Sequence, residues 1–406
     1  MSFTGDISIM AVGGAGCRIM RILRTLPGAE SVRLLAVDTD RAALEGSGLP
    51  EENCLLAGEV WRGGRGCGGS ELDGQRAVAH ERPRLEDMLR GTGFLLVLCG
   101  LGGGTASGGM SVVSSVAAKL KLPNLFLVTL PFMLEGPRRR NLAEKVLAES
   151  LFDVADAVVT LPNDLLFSTL PGDVPLAAAF EMADRECAGT ALALSAVLGA
   201  GNLLNADMAS LTALLKRRKS MCSIGVGIVR GEDGCPAEEV PEKLVSGMLA
   251  SPLLGGPQVL KAADAAVISL LGGGDLSLGD VRNTLDLVAK YLPSDAEQLT
   301  AASSHPDWQG ARQLCVLTIK YSEAAPDIRT RGAGVRPRPE PLPAPSKPAS
   351  SPRAGEQLEF TLDPVSKGIM ERTTPVIWEN EDLDEPTFKR RNIVIDDGRR
   401  GKGKRR

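Results

Sequence analysis

The sequence predicts an α/β protein with a Rossmann-like parallel-sheet N-terminal domain, a long central helix, a smaller α/β C-terminal domain, and a disordered linker and tail. Three observations support this fold class. Short, nearly continuous apolar segments alternate with segments whose apolar residues have helical spacing, an Ala-rich helical stretch follows, and a Pro-rich stretch with few large apolar residues comes after residue 321. Apolar strands that alternate with helices are typical of a parallel sheet covered by helices on both faces.

The first domain is predicted over residues 1–172. Within it, residues 75–89 and 111–120 repeat apolar residues at helical spacing, so they are predicted to cross between parallel strands. The predicted strands are ISIMAV, VRLLAVD, FLLVLCG, NLFLVTLPF and DAVVTLP.

The central helix is predicted over residues 173–199. It begins at Pro175 and ends at Gly199, as the preferences of these residues for helix starts and ends indicate. Since it is apolar on several sides, we expect it to pack between two domains. The second α/β domain follows over residues 200–321, with predicted strands CSIGVGIV, DAAVISLLGG and QLCVLTIKY.

Beyond the second domain the composition changes. Residues 322–376, which include RPRPEPLPAPSKPASSPRAG, cannot bury a core and are predicted to be a disordered linker. Residues 377–406 are predicted to form a partner-binding peptide and a basic tail. The peptide runs from Trp378 to Arg391 with Phe388 as its second aromatic anchor, and GRRGKGKRR is expected to contact anionic lipid weakly. A featureless disordered terminus is the alternative.

Composition excludes several classes of function. The net charge of −4 argues against a protein that coats nucleic acid. Eight cysteines without a C-x-x-C pair, together with only two histidines, indicate reduced thiols rather than a zinc site. No apolar run reaches the length of a transmembrane helix and the N-terminus lacks a secretory pattern, so we expect a cytoplasmic protein without a membrane span.

Two glycine-rich loops each join a predicted strand to a predicted helix. The first, AVGGAGCRIMRIL, contains G-x-G, but the third glycine of a dinucleotide fingerprint is replaced by Ile19. The second, GLGGGTASGG, lacks the lysine of a P-loop. Main-chain N–H groups at helix starts favour phosphate, so two such loops predict a nucleoside triphosphate held from both sides. Two alternatives remain: tight turns that need positive φ, and a Rossmann-type NAD site in which Asp38 ends the second strand.

The segment PFMLEGPRRRNL adds positive charge close to these loops. Pro137 is predicted to open a helix, so Arg138, Arg139 and Arg140 lie where the helix dipole is already positive. We expect one of the three arginines to contact phosphate, and a solvated charged face is the alternative.

These motifs resemble FtsZ, the bacterial cell-division homologue of tubulin. GGGTASG is similar to the family signature GGGTGTG, and the resemblance continues in order through AVDTD, PFMLEGPRRR, LPNDLL, AAAFEMAD, SPLL and GGGDLSLGDV. It covers about residues 6–321, and LDEPTFKRR resembles the family's C-terminal partner-binding motif. The resemblance implies a tubulin/FtsZ-like fold and GTP, with Mg²⁺, as the ligand.

The same resemblance implies a role for individual residues. Glu135 would contact ribose, Arg139 the phosphate side, and Asn163 the sugar or base. Phe180 would stack on guanine, while Asp184 would accept hydrogen bonds from guanine N1 and N2. The residues implied to hold the phosphates are Gly13, Gly14, Ala15, Gly16 and Cys17 in the first loop and Gly103, Gly104, Thr105 and Ala106 in the second.

The resemblance also identifies a catalytic loop, GAGNLLNADMASLTALL, that completes the site of the next subunit. Asn205 and Asp207 match the family, whereas Ser210 stands where a second aspartate is usual. A serine hydroxyl is a poor proton acceptor at neutral pH, so slow hydrolysis is expected. Taken alone, the pattern also fits a helix N-cap. In the first loop, Arg18 replaces the family's asparagine and is expected to add positive charge facing the phosphates.

The function implied is a GTPase that polymerises head to tail into the cytokinetic ring at midcell, with hydrolysis completed between subunits. The C-terminal peptide would dock on a membrane-tethering partner. Two other hypotheses stay open: a weakly hydrolysing structural or regulatory paralogue, and a Rossmann-type NAD-binding oxidoreductase.

Overall fold

The computed structural model describes residues 6–151, 155–164, 173–198, 202–204, 208–216, 220–321, 377–378 and 381–382. The chain divides into two compact units, residues 1–337 and 338–406. In the first unit the described strands are β1 (Asp6–Val12), β2 (Arg33–Asp38), β3 (Cys54–Leu56), β4 (Thr92–Gly100), β5 (Asn124–Leu130), β6 (Ala157–Pro162), β7 (Asn202–Leu204), β8 (Ser220–Val229), β9 (Ala265–Gly272), β10 (Glu297–Ser304) and β11 (Arg312–Tyr321).

Helices connect most of these strands. In chain order they are α1 (Gly13–Leu23), α2 (Arg41–Ser47), α3 (Glu59–Arg62), α4 (Glu71–His80), α5 (Arg82–Met88), α6 (Gly104–Lys119), α7 (Pro137–Val146), α8 (Leu176–Leu198), α9 (Met208–Lys216), α10 (Val240–Ala250), α11 (Pro257–Lys261) and α12 (Leu278–Ala289).

The eleven described strands of the first unit form one sheet in the order β3-β2-β1-β4-β5-β6-β8-β11-β9-β10-β7. Strands β1 to β6 pair in parallel, β8 joins β6 in parallel, and β11 runs antiparallel to both β8 and β9. The order reverses between β1 and β4, which lie side by side although β2 and β3 separate them in the sequence. In open parallel sheets, ligands bind beyond the carboxyl ends of the strands at such a reversal.

Both faces of the N-terminal half of the sheet are buried, because successive residues of β1 belong to different apolar clusters. Ile9 and Ala11 face a cluster that includes apolar residues of α1 and α8, whereas Met10 and Val12 face α4 and α6. The first of these clusters continues through residues of α8 and α9 to β8, β9 and β11. Helix α8 therefore packs against both halves of the sheet.

The predicted fold class is confirmed, and the differences from it are local. The predicted helical segment 75–89 belongs to two helices, α4 and α5, that break at Glu81, since Pro83 cannot continue a helix from the preceding turn. Strands β3, β7 and β10 were not predicted. The sequence of β10, EQLTAASS, has little apolar character because its first two residues are exposed and the next two are only half-buried.

In the second unit, two short strands pair as a hairpin, β12 (Ile377–Trp378) with β13 (Glu381–Asp382). The predicted linker, Phe388 and the basic end of the chain lie outside the described residues.

Within the described parts of both units, no helix is long and apolar enough to cross a membrane. All eight cysteines are free thiols. The described residues contain no group of three His, Cys, Asp or Glu side chains that could hold a metal ion.

Candidate nucleotide site

The two glycine loops lie side by side at the reversal of strand order. The first follows β1 and opens α1, and the second follows β4 and opens α6. Gly13 has φ +78°, and a Cβ placed on it would lie 3.1 Å from Cβ of Ala106 and 3.2 Å from its main-chain nitrogen. The starts of α1 and α6 thus touch each other, and a side chain at Gly13 would separate them.

Gly16 permits a second close approach, between α1 and the sheet. A Cβ on Gly16 would lie 2.5 Å from the carbonyl oxygen of Leu98 in β4. Real Cβ atoms do not come that close to an oxygen without a shift of the backbone. This glycine therefore sets the depth at which α1 lies on the sheet.

The start of α7 completes the same end of the site. Gly102, with φ +94°, precedes α6, and a Cβ on it would lie 2.8 Å from the carbonyl oxygen of Arg139 in the first turn of α7. A Cβ on Gly103 would meet no atom within 4 Å. The turn before α6 is therefore packed on the α7 side and open at Gly103.

These three helices begin without a side-chain cap. The residues before them are Val12, Gly103 and Gly136, and none makes a side-chain hydrogen bond to the helix start. Helices α2, α4 and α12 are capped by the side chains of Asp40, Ser70 and Ser277, whereas α3, α5, α10 and α11 also lack a side-chain cap. Uncapped N–H groups carry the positive end of the helix dipole, so the place where these three helix starts lie together favours an anion. This end of the site is called the phosphate end below.

A buried network of hydrogen bonds connects the second glycine loop to the end of β2. Thr105 donates a 2.9 Å hydrogen bond to Oδ1 of Asp38, and its hydroxyl lies 2.7 Å from that of Thr39. The main-chain N–H of Thr39 also donates to Asp38, and Cys67 donates from Sγ to Thr39. Burial raises the pKa of Asp38, whereas these hydrogen bonds lower it. Because Asp38 is only 3% exposed and bonded to Thr105, it is poorly placed to bind an NAD ribose.

Next to the anion site, Glu135 and Asn163 lie at the carboxyl ends of β5 and β6. Glu135 accepts a hydrogen bond from the main chain of Phe132, and its other oxygen pairs with Arg139 at 2.6 Å. Oδ1 of Asn163 is buried and has no hydrogen-bond partner among the described residues. A buried amide oxygen without a donor is unusual, and it is suited to bind a ligand hydroxyl.

At the other end of the site, called the base end below because the resemblance assigns the guanine contacts to it, Phe180 and Asp184 lie one turn apart on α8. The ring of Phe180 meets that of Phe132 edge to face, with centroids 4.7 Å apart. Asp184 is 9% exposed, and its Oδ2 lies 3.0 Å from Nε of Arg18 on α1. Burial raises the pKa of Asp184, an effect that Arg18 opposes.

Two expectations about the first loop change with the structure. Arg18 does not face the phosphate end, since α1 packs on α8 and the guanidinium pairs with Asp184. The Cys17 thiol lies in the apolar core, 1% exposed, and burial raises its pKa, so only the main chain of Cys17 is available to a ligand. Gly14 is exposed and Ala15 half-buried beside it.

Of the proposed catalytic residues, Asn205 and Asp207 lie outside the described residues. Ser210 is exposed in the first turn of α9. The helix begins at Met208, so Ser210 lies inside it and is not its N-cap.

Comparisons with known proteins agree with this geometry. Residues 6–171 match the family model described as Tubulin/FtsZ family, GTPase domain. The cell division protein FtsZ of Methanothermobacter thermautotrophicus is 32% identical over 311 residues, which cover 77% of this chain and 78% of that protein. Cell division protein FtsZ 1 of Archaeoglobus fulgidus is 29% identical over 314 residues, 77% of this chain and 81% of that protein.

Solved structures give the same result. An FtsZ dimer from M. jannaschii superposes with a TM-score of 0.69 and 26% identity, covering 78% of this chain and 88% of that one. CetZ2 from Haloferax volcanii, in a protofilament with bound GTPgS, has a TM-score of 0.63 at 20% identity, covering 80% of this chain and 96% of that one. The second similarity concerns the fold alone.

Proposed function

This chain is a GTPase of the tubulin/FtsZ family, similar to cell-division proteins, and we propose that it polymerises head to tail into the cytokinetic ring at the bacterial division site. The GTP site in this proposal is supported by three uncapped helix starts at the strand-order reversal, beside an aromatic ring and a buried carboxylate on α8. The first feature suits a phosphate chain, and the second suits a purine that presents two donors. Assembly is supported by the similarity to FtsZ proteins, one of which was solved as a dimer.

In this proposal GTP lies across the carboxyl ends of β1, β4, β5 and β6. The N–H groups at the starts of α1 and α6 bind the phosphates, and the absence of lysine from both loops leaves main-chain dipoles to offset the charge. Asn163 offers its amide oxygen, which has no partner among the described residues, to the sugar. The ion pair of Glu135 and Arg139 lies on the same side of the proposed nucleotide as Asn163. Phe180 lies where it can pack against the base.

Mg²⁺ would accompany GTP rather than occupy a cage made of protein ligands. The described residues contain no cluster of three acidic, His or Cys side chains, so such an ion would be held mainly by phosphate oxygens and water. The buried carboxylate of Asp38 lies beside the first loop, since its Oδ2 would be 3.9 Å from a Cβ placed on Gly14.

Hydrolysis requires a water oriented for in-line attack on the γ-phosphate. We assign this role to the Asn205–Ser210 loop of the adjacent subunit, with Asp207 as the acid–base group. Ser210 can hold water by hydrogen bonds but accepts a proton poorly at neutral pH. We therefore expect slow turnover, which keeps the weakly hydrolysing paralogue as the second candidate function.

The tail is assigned to partner binding. The linker of residues 322–376, as a flexible coil, would span about 40 Å between the filament and a membrane-tethering protein bound to the segment from Trp378 to Arg391. The basic end would add weak attraction to anionic lipid.

Sedimentation of the full chain with GTP, GDP or no nucleotide tests assembly, with released phosphate measured in the same tubes. We expect a pellet with GTP at micromolar protein and slow phosphate release. No pellet with GTP contradicts the polymer.

The paired variants Ser210→Asp and Ser210→Asn separate the two candidate functions. Both side chains are of similar size and the position is exposed, so the variants differ mainly in charge and basicity. Faster release in Ser210→Asp alone supports a filament GTPase limited by residue 210. Equal rates in both variants and the wild type favour the paralogue.

A further inference from the structure

Part of one sheet edge is open at the end of the sheet opposite the nucleotide site. β3 is the edge strand beside β2, but the two strands pair only over Ala36–Asp38 and Cys54–Leu56. Immediately before Cys54 the chain forms a short 3-10 helix, Glu51–Asn53. In the described structure, no strand therefore lies beside the first residues of β2 on this side.

The main chain of Leu34 faces this open side. Main-chain groups of successive residues in a strand point alternately to its two neighbours, and the carbonyl of Asp38 accepts a 2.8 Å hydrogen bond from Ala57, just after β3. Leu34 lies four residues before Asp38, so its N–H and C=O point the same way. The N–H of Asn53, which would meet Leu34 if the ladder continued, donates to Pro50 instead. Leu34 thus presents a donor and an acceptor that β3 does not use.

A cleft of about 360 Å³ lies along this edge. The end of α1 and the segment before β2 line one side of it, and the connection from α2 to β3 lines the other. Its apolar lining includes Val32, Leu34 and Leu49, which are half-buried and pack on the apolar cluster of the α1 face. A chain extended beside Leu34 would place every second side chain against this lining.

The charged groups of the cleft favour an acidic occupant. Arg24 at the end of α1, Arg33 at the start of β2, and Glu30 all line it. Among the described residues, neither arginine pairs with a carboxylate. Arg33 donates to the main-chain oxygen of Arg90 at 3.1 Å. Glu30 accepts from the main-chain N–H of Gly28. The lining therefore carries a net positive charge.

Apolar and charged groups lie on opposite faces of the edge. Leu34 packs on the α1 face, so Arg33, its neighbour in the strand, points to the other face. The bond from Arg33 to Arg90 agrees, since Arg90 follows α5, whose apolar residues belong to the cluster of that other face. A strand added here meets apolar side chains on one face and a guanidinium on the other.

We propose that this edge binds an extended peptide segment of a partner protein as an added strand beside β2, and that apolar residues of this segment alternate with Asp or Glu. Main-chain hydrogen bonds to Leu34 supply affinity, and the alternation of side chains supplies specificity. Because the cleft lies at the end of the sheet opposite the nucleotide site, this binding does not depend on the proposed GTPase function.

The test uses an array of hexapeptides, each as long as an ordinary strand. Val, Leu or Phe occupies alternate positions, and Asp, Glu, Ser or Lys occupies the others. The array is probed with the full chain in the absence of nucleotide. We expect the acidic peptides to bind and the lysine peptides not to bind. The strongest binder is then labelled, and its Kd is measured by fluorescence polarisation.

Methylation of single amide nitrogens in that peptide tests for an added strand without altering the protein. Only every second amide of an added strand faces β2, so losses of about tenfold should recur with a period of two residues.

A substitution at Leu34 tests the same hydrogen bonds from the protein side. Leu34→Pro removes the N–H at the open edge and should weaken binding by about tenfold. Leu34→Val is the matched control, because it keeps the N–H and an apolar side chain. The methylated peptides decide the matter if Leu34→Pro does not fold, which circular dichroism shows.

The charge of the cleft is tested by Arg24→Glu against Arg21→Glu. Both arginines are exposed on α1, and Arg21 does not line the cleft. Arg24→Glu should weaken binding of the acidic peptide by about fivefold, and Arg21→Glu by less than about twofold. Equal losses in the two variants would contradict binding in this cleft.

Other outcomes also contradict the peptide site. If no acidic peptide binds better than its lysine counterpart, Arg24 and Arg33 serve only to keep the edge from pairing. Losses on methylation without a period of two would mean that no strand is added. If Leu34→Pro instead lowers self-association of the chain in sedimentation without nucleotide, the edge pairs with a second copy. A failure to bind GTP would contradict the proposed function and leave the peptide site standing.

Discussion

The two ends of the site are made from different parts of the chain. At the phosphate end, main-chain groups of three helix starts converge, and glycines permit their approach. At the end proposed for the base, the side chains of Arg18, Phe180 and Asp184 come from two helices and contact other side chains of the site. A site made of main chain accepts changes in side chain wherever the backbone keeps its path, whereas a site made of side chains does not.

Differences from the FtsZ pattern follow this division. Ala106 replaces a glycine of the family signature, yet it lies in regular helix α6 and its Cβ packs against Gly13. The N–H groups at this helix start are unaffected. Arg18 stands where an asparagine is usual in the family, and its guanidinium pairs with Asp184.

The largest expected effect is that of a Cβ at the phosphate end. Gly16→Ala would bring a methyl group 2.5 Å from the carbonyl oxygen of Leu98, and α1 would have to move. We expect a loss of about 2–3 kcal/mol in the free energy of unfolding, typical of overpacking, together with weaker GTP binding. Urea denaturation and nucleotide titration measure both effects.

Gly46→Ala is the matched control for this variant. Gly46 is also helical, in α2, and a Cβ there would meet nothing within 4 Å. It should stabilise the protein by about 0.5–1 kcal/mol, because alanine favours a helix over glycine. Equal effects of the two substitutions would show that close approach at Gly16 is unimportant.

At the base end, Asp184→Asn should weaken GTP binding by about 10- to 100-fold, as for loss of a hydrogen bond to a charged group. Affinity for XTP should rise, because an amide can donate to the O2 of xanthine where a carboxylate repels it. Competition titrations with GTP, XTP and ATP measure this exchange. Equal weakening for all three nucleotides would mean that Asp184 contributes only to folding.

A smaller effect is expected for Arg139, an exposed cation whose main chain lies against Gly102 in the turn before α6. Its pair with Glu135 is an i,i+4 surface ion pair, so Arg139→Ala should change the free energy of unfolding by less than about 0.5 kcal/mol. If Arg139 reaches phosphate, affinity falls several-fold more for GTP than for GDP, and less so at high salt. Arg138→Ala serves as the control. An equal loss of affinity in both variants would mean that the phosphates respond to the general positive charge of this helix start and that Arg139 makes no specific contact with them.

Regular features of the site could be predicted from sequence, and tertiary contacts could not. Both glycine loops were found because strand, glycines and helix are consecutive in the chain. Arg18 was expected to face the phosphates, whereas its guanidinium pairs with Asp184, which is 166 residues away and is brought near only by the packing of α1 on α8. Asp38 was noticed as the end of β2, but its bond to Thr105 depends on β1 and β4 being neighbours in the sheet.

The smallest effect is expected for Asp38→Asn, which tests whether the phosphate end depends on the buried hydrogen bonds among Asp38, Thr39 and Thr105. In Asp38→Asn the amide oxygen still accepts from Thr105, so GTP affinity should change less than about threefold and the free energy of unfolding near neutral pH by less than about 1 kcal/mol. A larger loss of affinity would mean that a side chain, and not the main chain alone, maintains the second loop.

The pH dependence of the same variant gives an independent check. Burial raises the pKa of Asp38 above its ordinary value of 3.8. The folded state therefore binds this proton more tightly than the unfolded chain, and the contribution of Asp38 to stability is complete below pH 3.8 and is lost as the pH rises through the folded-state pKa. Asn does not titrate, so as the pH rises above about 4 the wild type should lose stability relative to Asp38→Asn. Urea denaturation across this range measures the difference, and a constant difference would show that Asp38 is ionised as easily in the folded protein as in the unfolded chain.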